Sequence, residues 1–466
     1  MLFNPKNLKK TEGSFVFSGE VKAEAHGCFR RGIFREFWNG FTYRCSTLHV
    51  TETDGYVFRI GEAEELPADG QAYSICVQET GICIRAENEK NLILGFMTLI
   101  DRIEAIDAAD GSTALSVGCC RITESPAIGT RMAHFCVFPE TELWELHRFI
   151  RFCGALRYSQ VIVEFWGMYR YDCMKELAWP HAYTKEELQP IFREANDMGL
   201  EIVPMFNHWG HAAAGRVMHG KHVVLDQSPS LETYFCENGW CWDIRKPKVR
   251  DLLRKIRREL LELCGTGSYF HIGCDEAYGF DLNTEGGMNA VCDFIGEIAD
   301  EMAEVNRRIL VWGDMFLYRH PHYNSRNGYA ANAPSPRSEA YMLERLNRKV
   351  IIADWQYDAN EAPVETALVF KKAGLDCMIC PWDRSHAKLN SCLTTAKEQN
   401  LAGLIHTTWH TLSAGTPYVA MAAVGCFEDH PGLSHTGTAA LLRKVYFVDG
   451  DWQKAGWAKQ EIGILT

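Results

Sequence analysis

Beyond Pro126 the sequence alternates strand-like and helix-like stretches with a regularity that leaves few folds open. Short runs rich in β-branched and aromatic residues fall at 129–135, 160–165, 202–207, 269–273, 308–312, 350–354, 376–379 and 403–408. Between them, apolar residues recur at helical spacing near 140–152, 185–198, 247–264, 289–306, 339–347, 362–373 and 393–400, and a final helix near 437–446 follows the eighth strand. Eight β-then-α units in about 330 residues predict a closed (β/α)8 TIM barrel with insertions. A doubly wound open sheet is the alternative. It ordinarily announces itself with a glycine-rich first turn, and the sequence has neither GxGxxG nor a P-loop.

Residues 1–120 read as a smaller α/β accessory domain, and 121–466 as the catalytic barrel, with Arg121-Ile122-Thr123-Glu124-Ser125-Pro126 as the break. A strand-like run over 42–50 is followed by others at 56–60, 72–78 and 82–86, with Asp54-Gly55 and Thr80-Gly81 as hairpin signals. A helix over 91–105 would cover that sheet. No titratable groups cluster here, so the module reads as structural. At 47% hydrophobic and 12% aromatic, the 466 residues can fill a large core and leave aromatics for a site. The formal charge of −12 and the lack of a basic cluster argue against a nucleic-acid partner. No apolar run approaches the roughly 20 residues needed to span a bilayer, so no membrane association is expected. Met1-Leu2-Phe3-Asn4-Pro5-Lys6 lacks the apolar core of a secretory signal. Eighteen cysteines without such a signal lead us to expect a cytoplasmic location and free, mostly buried thiols. Cys377-x-x-Cys380 lies in a strand-like run with no second pair, and reads as core.

In a barrel of this kind, the residues at and just after each strand's carboxyl end line the active face. Here they are Glu164 and Trp166; Asn207, His208 and His211; His271, Asp275 and Glu276; Trp312 and Asp314; Asp354, Trp355 and Tyr357; Trp382, Asp383 and Arg384; and Thr408, Trp409 and His410. Tryptophans recur at the same end of five strands, among carboxylates and histidines. Flat aromatic faces pack against the C–H faces of sugar rings, while carboxylates, Asn and His bind hydroxyls, so a neutral carbohydrate pocket is expected. The adjacent pair Asp275-Glu276 could instead begin a helix, with Asp275 as N-cap. His208, His211, His271 and Asp275 could also hold a metal.

His271-Ile272-Gly273-Cys274-Asp275-Glu276 resembles the H-x-G-G-D-E signature of glycoside hydrolase family 20, the β-N-acetylhexosaminidases. Pro204 with Gly210-His211, Val311-Trp312-Gly313-Asp314, Trp409 and the accessory-domain run Gly95-Phe96-Met97-Thr98-Leu99 extend the resemblance over nearly the whole chain. It implies an exo-acting, retaining enzyme whose substrate supplies its own nucleophile, the 2-acetamido oxygen. By that likeness Glu276 is the acid and then the base, and Asp275 orients the acetamido group and stabilises the developing charge. Trp312, Trp355 and Trp409 would wall the pocket, His211 would support the pair, and neither metal nor cofactor is called for. Glu164, Asn207, His271, Tyr357, Trp382 and Asp383 complete the expected substrate contacts. The pair's mutual repulsion is expected to raise the pKa of Glu276.

The sequence departs from the family in places. Cys274 replaces the second signature glycine. Arg131 stands where the family has an arginine that grips O3 and O4, but in the run Arg131-Met132-Ala133-His134-Phe135-Cys136 the accompanying Gly and Asp are absent. The acidic position after the last tryptophan is Thr411. The expected partner is an oligosaccharide or glycoconjugate with a terminal N-acetylhexosamine. A homodimer is compatible with the sequence, since a loop from a partner subunit could complete the pocket. The competing readings are a metal-dependent hydrolase or deacetylase, and a non-catalytic carbohydrate-binding barrel.

Overall fold

In the computed structural model, the described residues are 2–445 except 18, 69, 109, 110, 112, 213–223, 238, 320–328, 359, 360, 410 and 411. Eight strands form the first sheet: β1 Leu8–Phe17, β2 Glu20–Ala25, β3 Thr47–Glu52, β4 Val57–Gly61, β5 Tyr73–Gln78, β6 Gly81–Ala86, β7 Glu104–Asp107 and β8 Thr113–Glu124. Their order is β1-β8-β5-β6-β4-β2-β3, with β7 also on β8. Thr80-Gly81 does close a tight antiparallel hairpin, because Gln78 pairs with Gly81. Asp54-Gly55 does not. The strands it joins, β3 and β4, lie on opposite sides of β2. The run expected as a strand from residue 42 starts only at Thr47, because a helix, Gly32–Phe41, precedes it. That helix and Glu89–Asp101 meet the sheet through edge-to-face contacts among Phe29, Phe34, Phe58 and Phe96. β8 continues to Glu124, four residues past the expected boundary.

The barrel strands are β9 Arg131–Cys136, β10 Gln160–Glu164, β11 Glu201–Met205, β12 Tyr269–His271, β13 Arg308–Trp312, β14 Ile351–Asp354, β15 Asp376–Ile379 and β16 Gly403–His406. All pairs are parallel, and β16 closes on β9. Period-two alternation decides what fills the interior. Met132, Ile162, Val203, Met205, Leu310, Ile351, Ala353, Met378, Cys380 and Ile405 form a buried cluster inside the barrel. The alternate residues pack outward on the helices, among them Leu252, Leu253 and Ile256 of Pro247–Cys264, whose apolar stripe faces the sheet. A helix at Leu412–Gly425 was not expected. Val419 to Val424 are buried without interruption, so no amphipathic period marks it. No helix among the described residues is long and apolar enough to cross a membrane. All eighteen cysteines are free thiols, and Cys377 and Cys380 are buried.

The two sheets meet at the foot of the barrel. Arg157, 1% exposed, pairs with Glu124 at 2.7 Å and donates to Tyr73 at 2.8 Å and Thr98 at 2.7 Å. Its guanidinium lies over the rings of both Phe3 and Phe427, 3.6 and 3.9 Å from their centroids.

Candidate active site

The turn after β12 carries the signature. Its ladder continues to Gly273, whose carbonyl accepts from Trp312 N at 2.9 Å. Gly273 has φ 66°, and a Cβ there would fall 1.7 Å from Asn207 Oδ1, so no other residue fits. Cys274 and Glu276 follow at φ 79° and 45°, a left-handed backbone that non-glycine residues adopt at a cost of roughly 1–2 kcal/mol each. Such strain persists where surroundings over-determine the chain. Here Glu276 N donates to Asp314 Oδ2 (2.9 Å), Glu276 O accepts from Trp240 Nε1 (2.6 Å), and Gly210 packs against Asp275 O so closely that a Cβ would sit 1.8 Å away. No helix starts at this turn, since the next begins at Glu285 with Thr284 as its cap. The N-cap alternative therefore falls.

Asp275 and Glu276 share one partner. His211 Nε2 lies 2.8 Å from Glu276 Oε2 and 3.4 Å from Asp275 Oδ2. Asp275 is the deep member, its side chain 10% exposed, and Glu276 the rim member at 31%. Burial raises the pKa of Asp275 well above the ordinary carboxylate value, opposed by His211 and reinforced by Asp314 and Glu276. Glu276 goes the other way. Burial would raise it, but His211 and the Tyr278 hydroxyl (3.0 Å from Oε1) hold it below its ordinary value. The expected rise on Glu276 is thus corrected: the raised carboxyl is Asp275.

Asp314 binds the Glu276 amide, Asn332 Nδ2 (2.8 Å) and Trp355 Nε1 (3.0 Å), so both its oxygens are engaged. Sequence reasoning placed Asp314 after β13 without giving it a role, and Tyr278 passed unused within the signature stretch. From Trp355 an aromatic wall runs through Tyr357 (5.1 Å between centroids) to Trp382 (5.2 Å). Tyr357 accepts from Trp409 Nε1 at 2.9 Å, and Trp409 faces Trp312 at 6.1 Å. Asp383 follows Trp382 and lies against Gly415, whose Cβ would be 3.1 Å from its Oδ2. His410 and Thr411 lie outside the described residues.

Deeper in the barrel sit His134, Glu164, Asn207 and His271, all buried. Glu164 is 3.0 Å from His134 Nε2, and accepts from Cys136 Sγ (3.0 Å) and Asn207 Nδ2 (3.2 Å). His134 was missed, although Met132, His134 and Cys136 share the inward phase of β9. Arg131 occupies the other phase and is a correction. At the amino end of β9 it donates to the carbonyls of Arg157 (3.0 Å) and Ile128 (3.2 Å), and it lies over the Phe427 ring. Burial lowers its pKa to about 10, and it remains charged at the foot, away from the pocket. The four candidate metal ligands do not converge. His208 packs on Phe206 and Phe270, with Arg257 of the outer helix layer nearby. His271 is inside the barrel and His211 is on Glu276. Among the described residues the clusters with metal-like spacing are instead His134–Cys136–Glu164 and His26–Cys28–Glu89.

Residues 162–383 match the family described as "Glycosyl hydrolase family 20, catalytic domain". No curated protein matches the chain. Among solved structures, it is similar to a chitobiase from Flavobacterium johnsoniae (TM-score 0.67, 16% identity, 99% of this chain and 74% of that one). It is also similar to an exo β-N-acetylglucosaminidase from Vibrio harveyi in complex with N-acetylglucosamine (TM-score 0.65, 14% identity, 95% and 76%). A third is the N-acetyl-β-hexosaminidase of Streptomyces plicatus (TM-score 0.65, 15% identity, 97% and 94%).

Proposed function

We propose that the chain, whose residues 162–383 match the glycosyl hydrolase family 20 catalytic domain, is a glycoside hydrolase of that family and, within it, an exo-acting, retaining β-N-acetylhexosaminidase. It removes terminal GlcNAc or GalNAc from an oligosaccharide or glycoconjugate by substrate-assisted catalysis. One observation carries this. Asp275 and Glu276 approach the same nitrogen of His211, so an imidazole edge fills the space between them. A sugar ring cannot be flanked by these two carboxylates, as two-carboxylate hydrolysis requires. Asp314 and Glu164 are each held by three donors. The nucleophile then comes from the substrate.

In this reading the acetamido N–H donates to Asp275, whose Oδ1 has no partner among the described residues. That bond favours the carboxylate form, and the carboxylate stabilises the positive charge that grows on the acetamido group as its oxygen attacks C1. Glu276, at the rim, protonates the departing oxygen and later takes a proton from water. His211 touches both and couples their protonation. Trp312, Trp355 and Trp409 enclose the acetamido methyl and the ring.

The test is a panel of aryl glycosides with and without the 2-acetamido group, together with a thiazoline analogue of the cyclised intermediate. Turnover confined to 2-acetamido sugars and strong inhibition by the thiazoline are expected. Equal turnover of the 2-hydroxy glycosides would sink the proposal.

A further inference from the structure

With Arg131 anchored at the foot, the terminal sugar's hydroxyls need another reader. C1 and C4 stand at opposite ends of a pyranose ring. If C1 sits beside Glu276 at the rim, as the hexosaminidase reading requires, O3 and O4 point into the barrel toward His271, Trp312 and Glu164. This inference rests on that reading.

Two buried donors there have no acceptor among the described residues. His271 Nδ1 accepts the Gly273 amide at 3.0 Å, which leaves the proton on Nε2, and Nε2 has no partner. Burial, with His134 adding and Glu164 opposing, lowers the His271 pKa to about 3, so the ring is neutral and keeps that tautomer. Trp312 Nε1, which can only donate, is likewise unpartnered. The two rings lie 4.3 Å apart between centroids, and both are buried. A buried donor left unpaired is costly, so a ligand offering two neighbouring acceptor oxygens is favoured here. A vicinal diol has that form. The neighbouring carboxylate of Glu164, fully buried and 3.0 Å from His134 Nε2, disfavours a second anion at those hydroxyls.

We propose that His271 and Trp312, with Glu164 behind them, read the vicinal hydroxyls at C3 and C4 of the terminal N-acetylhexosamine, and that the site takes sugars with both hydroxyls free and rejects those carrying sulfate or another anion there. Glu164 is positioned for this by His134, Cys136 and Asn207.

The experiment compares kcat/KM for an aryl β-N-acetylglucosaminide, its 3-deoxy and 4-deoxy analogues and its 4-O-sulfate, in the wild type, His271→Asn and Trp312→Phe. Asn keeps an acceptor for the Gly273 amide while removing the Nε2 donor. In the wild type each deoxy analogue should lose about 10- to 100-fold, the worth of a buried hydrogen bond in the transition state. The sulfate should lose more. In each variant the penalty for one deoxy position should shrink to within about 3-fold of unity, since the lost donor no longer distinguishes the analogue. Because the readout is a ratio within one variant, a folding defect lowers both terms alike and leaves it unmoved. Unchanged penalties in both variants, or efficient turnover of the 4-O-sulfate, would overturn the inference while leaving the hexosaminidase reading intact. A wild type inactive on every aryl N-acetylhexosaminide would overturn both.

Discussion

The two ends of the barrel bury charge in opposite ways. At the foot, Arg157 is matched by Glu124, donates to two hydroxyls and lies over two phenyl rings, while Arg131 caps backbone carbonyls. The Arg157 atoms without a hydrogen-bond partner, Nε and Nη2, belong to the guanidinium that lies over those rings. At the mouth, Asp275, Glu276, Asp314 and Glu164 crowd around neutral donors and His211, and buried polar atoms of Asp275, His271 and Trp312 go unpartnered. Burying charge is costly unless it is paired, so a balanced cluster can hold domains together, whereas an unbalanced one is tolerated for what it does to a ligand. The foot joins the two sheets. The mouth holds donors and acceptors that a sugar can pair.

Substitutions at the two ends should separate along that line. The largest effect is expected from Glu276→Gln, which should cut kcat by about 10²–10⁴ on glycosides with poor leaving groups while the unfolding midpoint stays near the wild type. A variant retaining most of its kcat would remove Glu276 as the acid. Asp275→Asn should cost about 10²–10³ in kcat. It should also stabilise the protein against unfolding. The Asp275 pKa is raised on folding, so its ionised form weighs against the fold increasingly as pH climbs above the unfolded value of about 4. The variant should therefore gain roughly 1–3 kcal/mol over the wild type at pH 8 and little at pH 4. Denaturant titrations at the two pH values decide this, and a gain independent of pH would contradict it.

At the foot, Arg157→Ala should cost about 3–5 kcal/mol of unfolding free energy, because Glu124 is left buried without its cation, with only the Tyr73 hydroxyl donating to it. Activity per folded molecule should not change. Smaller again, His211→Ala should lower kcat/KM about 10- to 100-fold and move its alkaline limb upward, since the donor that holds the Glu276 carboxyl down is gone. A limb that moves downward would show that His211 acts in another way. The smallest effect on activity is expected from Arg131→Met, with KM for an aryl N-acetylhexosaminide within about 2-fold of the wild type. A hundredfold rise in KM would return the guanidinium to the pocket and erase the contrast between the ends.

Much of this was legible in sequence because it rests on periods and punctuation. The eight barrel strands fall within two or three residues of their expected limits, since alternation of apolar runs with amphipathic stretches is a local property. The helix at Leu412–Gly425 escaped because it is apolar on all sides. The hairpin expected at Asp54-Gly55 failed because β2, far from that turn in sequence, took the place between the two strands. At the site, Asp275 and Glu276 were marked by their position after a strand. Arg131 was misplaced for the reason that betrays many strand residues: neighbours on a strand point to opposite faces, and residue type alone does not say which face is inside.

The sequence by itself determined that eight strand–helix units would close into a barrel and that two adjacent carboxylates would end its fourth strand, because hydrophobic spacing and turn chemistry act over a few residues. Only the tertiary structure decided which of the two carboxyls carries the raised pKa, which way Arg131 faces, and which buried donors are left wanting. Those outcomes depend on desolvation and on partners tens or hundreds of residues apart, such as His211 for Glu276 and Phe427 for Arg131.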